Sequence, residues 1–307
     1  MKIRLGKDMK QSQESNSSAM LSSLADGTQE SAGDSNTIAR LFHQQMLRYQ
    51  GGRLYPERIP VHTMERVLDL CCNTGEWIFD LARHHAQLHI CGIDGCEEVL
   101  QLARARRNMY SLRQIELRQA NPMQPLPIPD EYVDFVHIRR GLEVTIYPQM
   151  WPGMIKESVR VLRPGGWLVL VELELCEISG PACMALREVC LQTSARLGRT
   201  MDESGMTEGV AHRLYGMLLQ ARLDEVNYDL HIIDLGFMGG EADHTFLGQL
   251  VRHAYLIKPL VVQLGLLAAT EFDEIVVQAN CELQAPDLCG WGMIVSLYGR
   301  KSQNSQP

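Results

Sequence analysis

Two periodicities alternate along this chain. Ile38, Leu41, Phe42, Met46 and Tyr49 recur at the spacing of one helix face, and Gly51-Gly52 end that run. Short apolar runs follow at 66–70, 88–93, 115–120, 132–138 and 167–173, and helical patterns separate nearly all of them. Strands apolar on both faces, alternating with helices, predict a parallel sheet covered on both sides. The second half departs from this rhythm. Residues 181–225 read as mostly helical, a strand follows at 228–235, helices return at 243–284, and a last strand spans 292–298. In that later helical stretch Phe272, Ile275, Val276, Ala279 and Leu283 form one apolar stripe, with Thr270 as its N-cap. The expected fold is therefore α/β, a doubly wound and mostly parallel sheet of seven strands, with helical cap segments at about 181–225 and 243–284.

Composition changes the picture at the chain's ends. Residues 1–35 are rich in Ser, Gln, Glu, Asp and Gly with few large apolar side chains, too few to offset the entropy of ordering, and are expected to be a disordered leader. One domain is expected over 36–301, with a tail at 302–307. No apolar run approaches the ~20 residues of a membrane span, and no apolar segment follows the first basic residues as a secretory signal would require. Nine cysteines without paired spacing suit reduced thiols and a cytoplasmic location. A net charge of −8 argues against nucleic-acid binding. Arg104, Arg106 and Arg107 read as a solvated helix face, and the four tryptophans read as core. No His, Cys or Asp spacing suggests a metal site.

The candidate chemistry sits in the first strand–turn–helix. VLDLCCNTGEW, from Val67 to Trp77, places Asp69 on a strand ahead of a small-residue turn, and the next strand, LHICGID, closes on Asp94. In an open α/β sheet this is where a nucleotide-like ligand docks, and an acid ending the second strand can take a ribose diol. A dinucleotide would need GxGxxG for its pyrophosphate. Here only Gly75 remains of a glycine pattern, and Asp69 would repel an anion. S-adenosylmethionine, with adenine, ribose and ammonium but no phosphate, answers both features.

These segments resemble the motifs of class I S-adenosylmethionine-dependent methyltransferases. VLDLCCNTGEW is similar to the first motif and GID to the second; QANPMQPLPIPDEYVDFVHIRRGL and MWPGMIKESVRVLRPGGWLVLVE are similar to the later ones. GGRLYPERI and CGWGMIVSLYGRK resemble the flanks of a bacterial branch, so the likeness runs from about Leu41 to Lys301. The resemblance implies that Asp69 holds the methionine ammonium, that Gly75 lets the backbone pass close to the ligand, that Asp94 takes both ribose hydroxyls and that Asn121 faces adenine. Cys71, Asn73, Gly95 and Pro122 would line the same turns. Plainer roles stay open: Asp69 satisfying turn amides, Asp94 capping the helix that begins near Cys96, and Asn121 forming a turn before Pro122. The chain departs from the pattern at Asn73, where glycine is usual. Asn tolerates positive φ best among the other residues, although its side chain could crowd the ligand or bond it. Cys71 is expected to replace a small residue at little cost.

Methyl transfer from a sulfonium depends mainly on positioning and exclusion of water, and a base matters only when the acceptor loses a proton in the transition state. His137 and Arg139 at the end of the fourth strand and Glu172 at the end of the fifth are the catalytic candidates. Tyr147, His212 and Tyr215 are candidate substrate contacts, the last two on a lid that also carries Met201, Met206, Leu214 and Leu218. The expected activity is methyl transfer to a small organic molecule. A non-catalytic cofactor-binding or scaffold protein, or a nicotinamide-dependent oxidoreductase, are the alternatives.

Overall fold

The computed structural model describes Arg40 and residues 43–44, 46–139, 150–197, 210–234, 251, 255 and 257–303. The leader at 1–35, Tyr147, Met201, Met206 and residues 243–250 lie outside them. Seven strands form one sheet: β1 (Arg66–Leu70), β2 (His89–Asp94), β3 (Ile115–Gln119), β4 (Val133–Arg139), β5 (Leu162–Ile178), β6 (Leu223–Asp234) and β7 (Gly290–Lys301). Their order is β3-β2-β1-β4-β5-β7-β6. The first five are parallel, and β7 lies antiparallel between β5 and β6. The sheet reverses direction of winding beside β1, where β2 lies on one side and β4 on the other. Ligands of such sheets bind beyond the strands' carboxyl ends at that point.

Alternation along each strand splits the interior into two cores. Val67, Ile90, Phe135 and Val169 face one side, where α1 (Glu76–His84), α2 (Glu97–Met109), α4 (Pro181–Arg196) and α6 (Ala269–Glu282) bury their apolar faces. Leu68, Leu70, Val136 and Leu168 face the other, packed by α3 (Trp151–Val161) and α5 (Ala211–Gln220). Each large aliphatic side chain so enclosed contributes about 1.5–3 kcal/mol. Leu214 and Leu218, expected on a lid, are buried in this second core as α5 covers the sheet. α4 lies instead against α6 and the end of β5.

The structure corrects several sequence-based boundaries. β5 is far longer than 167–173, because it takes in the Arg-Pro-Gly-Gly segment through a register shift and runs on to Ile178 against β7. β6 starts at Leu223 and not at 228. Its first residues carry a bulge, with Arg222 and Glu225 at positive φ, and this conceals the alternation. Thr270 lies inside the first turn of α6. The N-cap is Ala268, whose amide donates to the Glu271 carboxylate at 2.8 Å. Arg106 leaves the expected solvated face and forms a two-pronged ion pair with Glu76 on α1. Trp77, Trp151 and Trp167 are core, whereas Trp291 is substantially exposed.

Three carboxylates hold the architecture across long sequence separations. Asp134 accepts the amides of Glu65 and Arg66, both at 2.8 Å, and so fixes the start of β1 against β4. Glu174 accepts the Val210 and Ala211 amides at 2.9 and 2.8 Å, capping α5. Glu282, at the end of α6, caps α4 by accepting from the Ala182 and Cys183 amides, each at 2.9 Å. The Glu174 and Glu282 bonds satisfy orphan donors at helix starts.

Candidate functional site

The turn leaving β1 needs left-handed backbone three times. Cys71, Asn73 and Gly75 have φ of +59°, +50° and +83°. Asn73 was expected to tolerate this conformation, but Cys71 has no such allowance, so the expectation of a small penalty there is corrected. Gly75 serves as the N-cap of α1. A Cβ at that position would come within 2.8 Å of the Phe79 ring, so the turn both requires glycine's φ and leaves no room for a side chain. The Asn73 amide oxygen folds back to accept the Thr74 N–H at 2.6 Å.

Asp94 joins this turn to the next one. Its Oδ2 accepts the Asn73 amide and its Oδ1 the Cys96 amide, both at 2.9 Å, while its backbone carbonyl accepts from Ala120 at 3.0 Å. One carboxylate therefore touches the loops after β1 and β2, and its peptide the loop after β3. Burial pushes the Asp94 carboxyl above its ordinary range, and the Cys96 and Asn73 amides pull it back. Gly92, which sequence reasoning passed over, makes the approach of these loops feasible. A Cβ there would meet Cys72 Sγ at 2.9 Å and Ile78 Cδ1 at 3.0 Å. Its signal was a glycine at an inward-facing position of a buried strand.

Asp69 is buried, and its Oδ1 bonds His137 Nδ1 at 2.7 Å. The imidazole lies flat on Trp77, with centroids 3.7 Å apart and planes 6° from parallel, and the indole Nε1 donates to the Leu54 carbonyl at 2.7 Å. Burial lowers the His137 pKa despite the raising effect of Asp69. A neutral ring with its proton on Nδ1 then donates to Asp69 Oδ1. Beside it, Arg139 Nη1 donates to His43 Nδ1 at 2.7 Å, and His43 Nε2 donates to Asp80 Oδ2 at 2.9 Å. Burial first, and then Arg139, lower the His43 pKa, consistent with a neutral ring that accepts on one nitrogen and donates on the other.

Residues 67–166 match the model of a family described as a methyltransferase domain. Demethylmenaquinone methyltransferase from Listeria welshimeri is 35% identical over 116 residues, which is 37% of this chain and 47% of that protein. The corresponding Lactococcus lactis protein is 38% identical over 107 residues, 34% of this chain and 41% of that protein. The chain thus matches under half the length of these curated relatives. In fold, the chain is similar to phosphoethanolamine N-methyltransferase 2 from Haemonchus contortus, solved with phosphomonomethylethanolamine and S-adenosylhomocysteine. The TM-score is 0.54 at 14% identity, covering 91% of this chain and 59% of that one. The fold is that of class I methyltransferases.

Around the turn after β1, the remaining candidates divide by placement. Gly95 is open, with only the Ala120 carbonyl 4.0 Å from where a Cβ would stand, and its own carbonyl accepts from Gln119 Nε2 at 3.2 Å. Asn121 forms the turn at Pro122 by accepting the Met123 amide on Oδ1 at 2.9 Å, which leaves its Nδ2 as the group to face a base. His137 is corrected from a base at a strand end to a buried partner of Asp69. Arg139 is committed to His43, and Glu172 is fully buried on the opposite face of the sheet, beside Leu168 and Leu170 in the alternation. His212 faces solvent in the first turn of α5, and Tyr215 packs edge-on against Tyr228 at 6.0 Å. Tyr147 lies outside the described residues. Among those residues, no group of three His, Cys, Asp or Glu side chains could hold a metal.

Proposed function

We propose that this chain is an S-adenosylmethionine-dependent methyltransferase acting on a small organic molecule. The observation that carries the reading is the Asp94 carboxylate, fixed by one amide on each oxygen where the turn after β1 meets the end of β2. Held this way it keeps lone pairs for two hydroxyls of a ribose. Asp69, with Oδ1 given to His137, offers Oδ2 to an ammonium. The hydroxyl of Thr74, buried in the turn without a partner among the described residues, suits a polar ligand group. The donor set therefore fits S-adenosylmethionine: acids for the ribose and ammonium, and no phosphate-binding glycine pattern.

When bound, that cofactor supplies a methyl group already activated on a sulfonium. The chain's own residues have the work of binding and orientation. His137, clamped by Trp77, keeps Asp69 fixed in direction. Asp94 sets the ribose end, and Gly95 leaves space above it. Arg139, His43 and Asp80 tie the helical residues before Gln50 to α1 and β4, closing one side of the crevice against water. Because His137, Arg139 and Glu172 are enclosed or committed, proton removal by a side chain is not central to this reading.

The acidic charge and the apolar α4–α6 pair support a small organic acceptor, as do the acceptors named for similar proteins, demethylmenaquinone and phosphomonomethylethanolamine. Eight described cysteines are free thiols, which supports a reducing, cytoplasmic setting. No described helix is long and apolar enough to cross a membrane. Calorimetric titration tests the cofactor: S-adenosylmethionine and S-adenosylhomocysteine should bind and NADPH should not. Tight NADPH binding without an adenosylmethionine signal would overturn the reading. A non-catalytic binder remains the second reading, favoured by Cys71 and Asn73 at glycine-type positions; it predicts cofactor binding with no methyl transfer in a broad acceptor screen.

A further inference from the structure

Among the described residues β6 is the outer strand of the sheet, paired to β7 on one side only. Side chains on a strand alternate between faces, so Tyr228, Leu230 and Ile232 share one. They are 49%, 51% and 69% exposed. Their neighbours on β7 are Leu297, Val295 and Met293, and exposed Trp291 extends the same row. α5 covers the beginning of the strand, where Leu223 is buried, and along this row exposure rises from Tyr228 to Ile232, while Ile233 on the other face is buried. Natural proteins commonly blunt such an edge with Lys or Pro. Between Tyr228 and Asp234 this chain has neither.

We infer that β6 pairs antiparallel with β6 of a second copy of this chain, about a twofold axis through Leu230. The sequence is self-complementary in that register. Leu230 meets its own copy, Tyr228 meets the partner's Ile232, and Asp229 meets the partner's His231, so each apolar pair is flanked by a carboxylate–imidazole pair. Neighbouring registers fail. Centring on 229 opposes two carboxylates, and centring on 231 sets Tyr228 against Asp234. Pairing joins the two sheets edge to edge, supplies partners for the outer backbone groups of β6, and sets the two apolar rows side by side in cross-strand contact. The inference does not depend on the cofactor or the reaction.

Sedimentation velocity of the full chain over a wide concentration range tests it. A monomer–dimer equilibrium is expected. Leu230→Lys, at an exposed position and with folding checked by circular dichroism, should raise the dimer dissociation constant about tenfold or more. His231→Asp should weaken it similarly by opposing carboxylates, and the double exchange Asp229→His with His231→Asp should restore association. A monomer at every concentration overturns the inference, as does a dimer indifferent to Leu230→Lys. Weakening by Leu230→Lys without any effect of His231→Asp overturns the register. Binding of monomer to phospholipid vesicles, lost in Leu230→Lys, would assign the stripe to a lipid surface and overturn the pairing.

Discussion

Asp94 does two jobs with one carboxylate, and its replacement should reveal both. Asp94→Ala is expected to cost on the order of 2–3 kcal/mol of adenosylmethionine binding, the range for hydrogen bonds to a charged group. The Asn73 and Cys96 amides also lose their acceptor, so the urea midpoint should fall in the same variant; calorimetry and denaturation read the two effects separately. Unchanged affinity in the folded variant would remove Asp94 from the site. Cys71 and Asn73 share a backbone conformation but should respond differently to glycine. Cys71→Gly removes a left-handed strain of about 1–2 kcal/mol against an entropic cost of about 0.5–1, for a small net gain in stability. Asn73→Gly gives up the bond to Thr74, so it should lose stability slightly while binding cofactor as well or better; weaker binding would make the Asn73 amide a ligand. Two buried imidazoles set a pH dependence. The His43 and His137 pKa values are lowered in the fold, so the unfolded chain takes up protons first, near pH ~6.5. Their contribution is complete above that pH and is lost as pH falls toward the lowered values. Asp94, raised by burial, opposes this loss only nearer the carboxylate range. Urea midpoints should therefore drop from pH 7 toward pH 5.5, less steeply in His137→Gln, and a flat wild-type profile would contradict the assignment.

Helix starts carry the clearest element-scale expectations. Gly75→Ala asks α1 to begin with a residue at φ +83° whose Cβ meets Phe79 at 2.8 Å, and should destabilise by about 2 kcal/mol or more in urea titrations. Glu282→Ala strips the cap from α4, about a hundred residues earlier in the chain. Amide exchange at Ala182 and Cys183 should then accelerate while that of β1 stays slow; protection unchanged at both amides would mean another group caps the helix. The two cases differ in how readable they were. Gly75 announced itself, because the turn's composition and the acid before it are local. Glu282 could not, since nothing in residues 269–282 says which distant helix start their last carboxylate meets. The parallel strands were legible for the same local reason, each being a short segment rich in apolar residues. β6 was half legible because its bulge breaks the alternation that identifies a strand. At the site, the positions of Asp69, Asn73, Gly75 and Asp94 followed from the motif. The pairing of Asp69 with His137 did not, because residues on β1 and β4 meet only through sheet order.

For the molecule as a whole, ligand linkage gives a direct measure of the cofactor reading. S-adenosylmethionine at a hundred times its dissociation constant should add about 2.7 kcal/mol to stability, seen as a rise in melting temperature that NADPH does not produce. The order β5-β7-β6 has a consequence for biosynthesis. β5 ends at Ile178 and β6 at Asp234, yet β5 lacks the partner for its second edge, and β6 its partner in the sheet, until β7, beginning at Gly290, has left the ribosome. At ordinary elongation rates a nascent chain holds an open β5 edge for on the order of 10 s. β6 waits detached, with Tyr228, Leu230 and Ile232 in tow. The final strand acts as a keystone, so premature termination anywhere before it should yield insoluble, chaperone-bound product and not a smaller working enzyme.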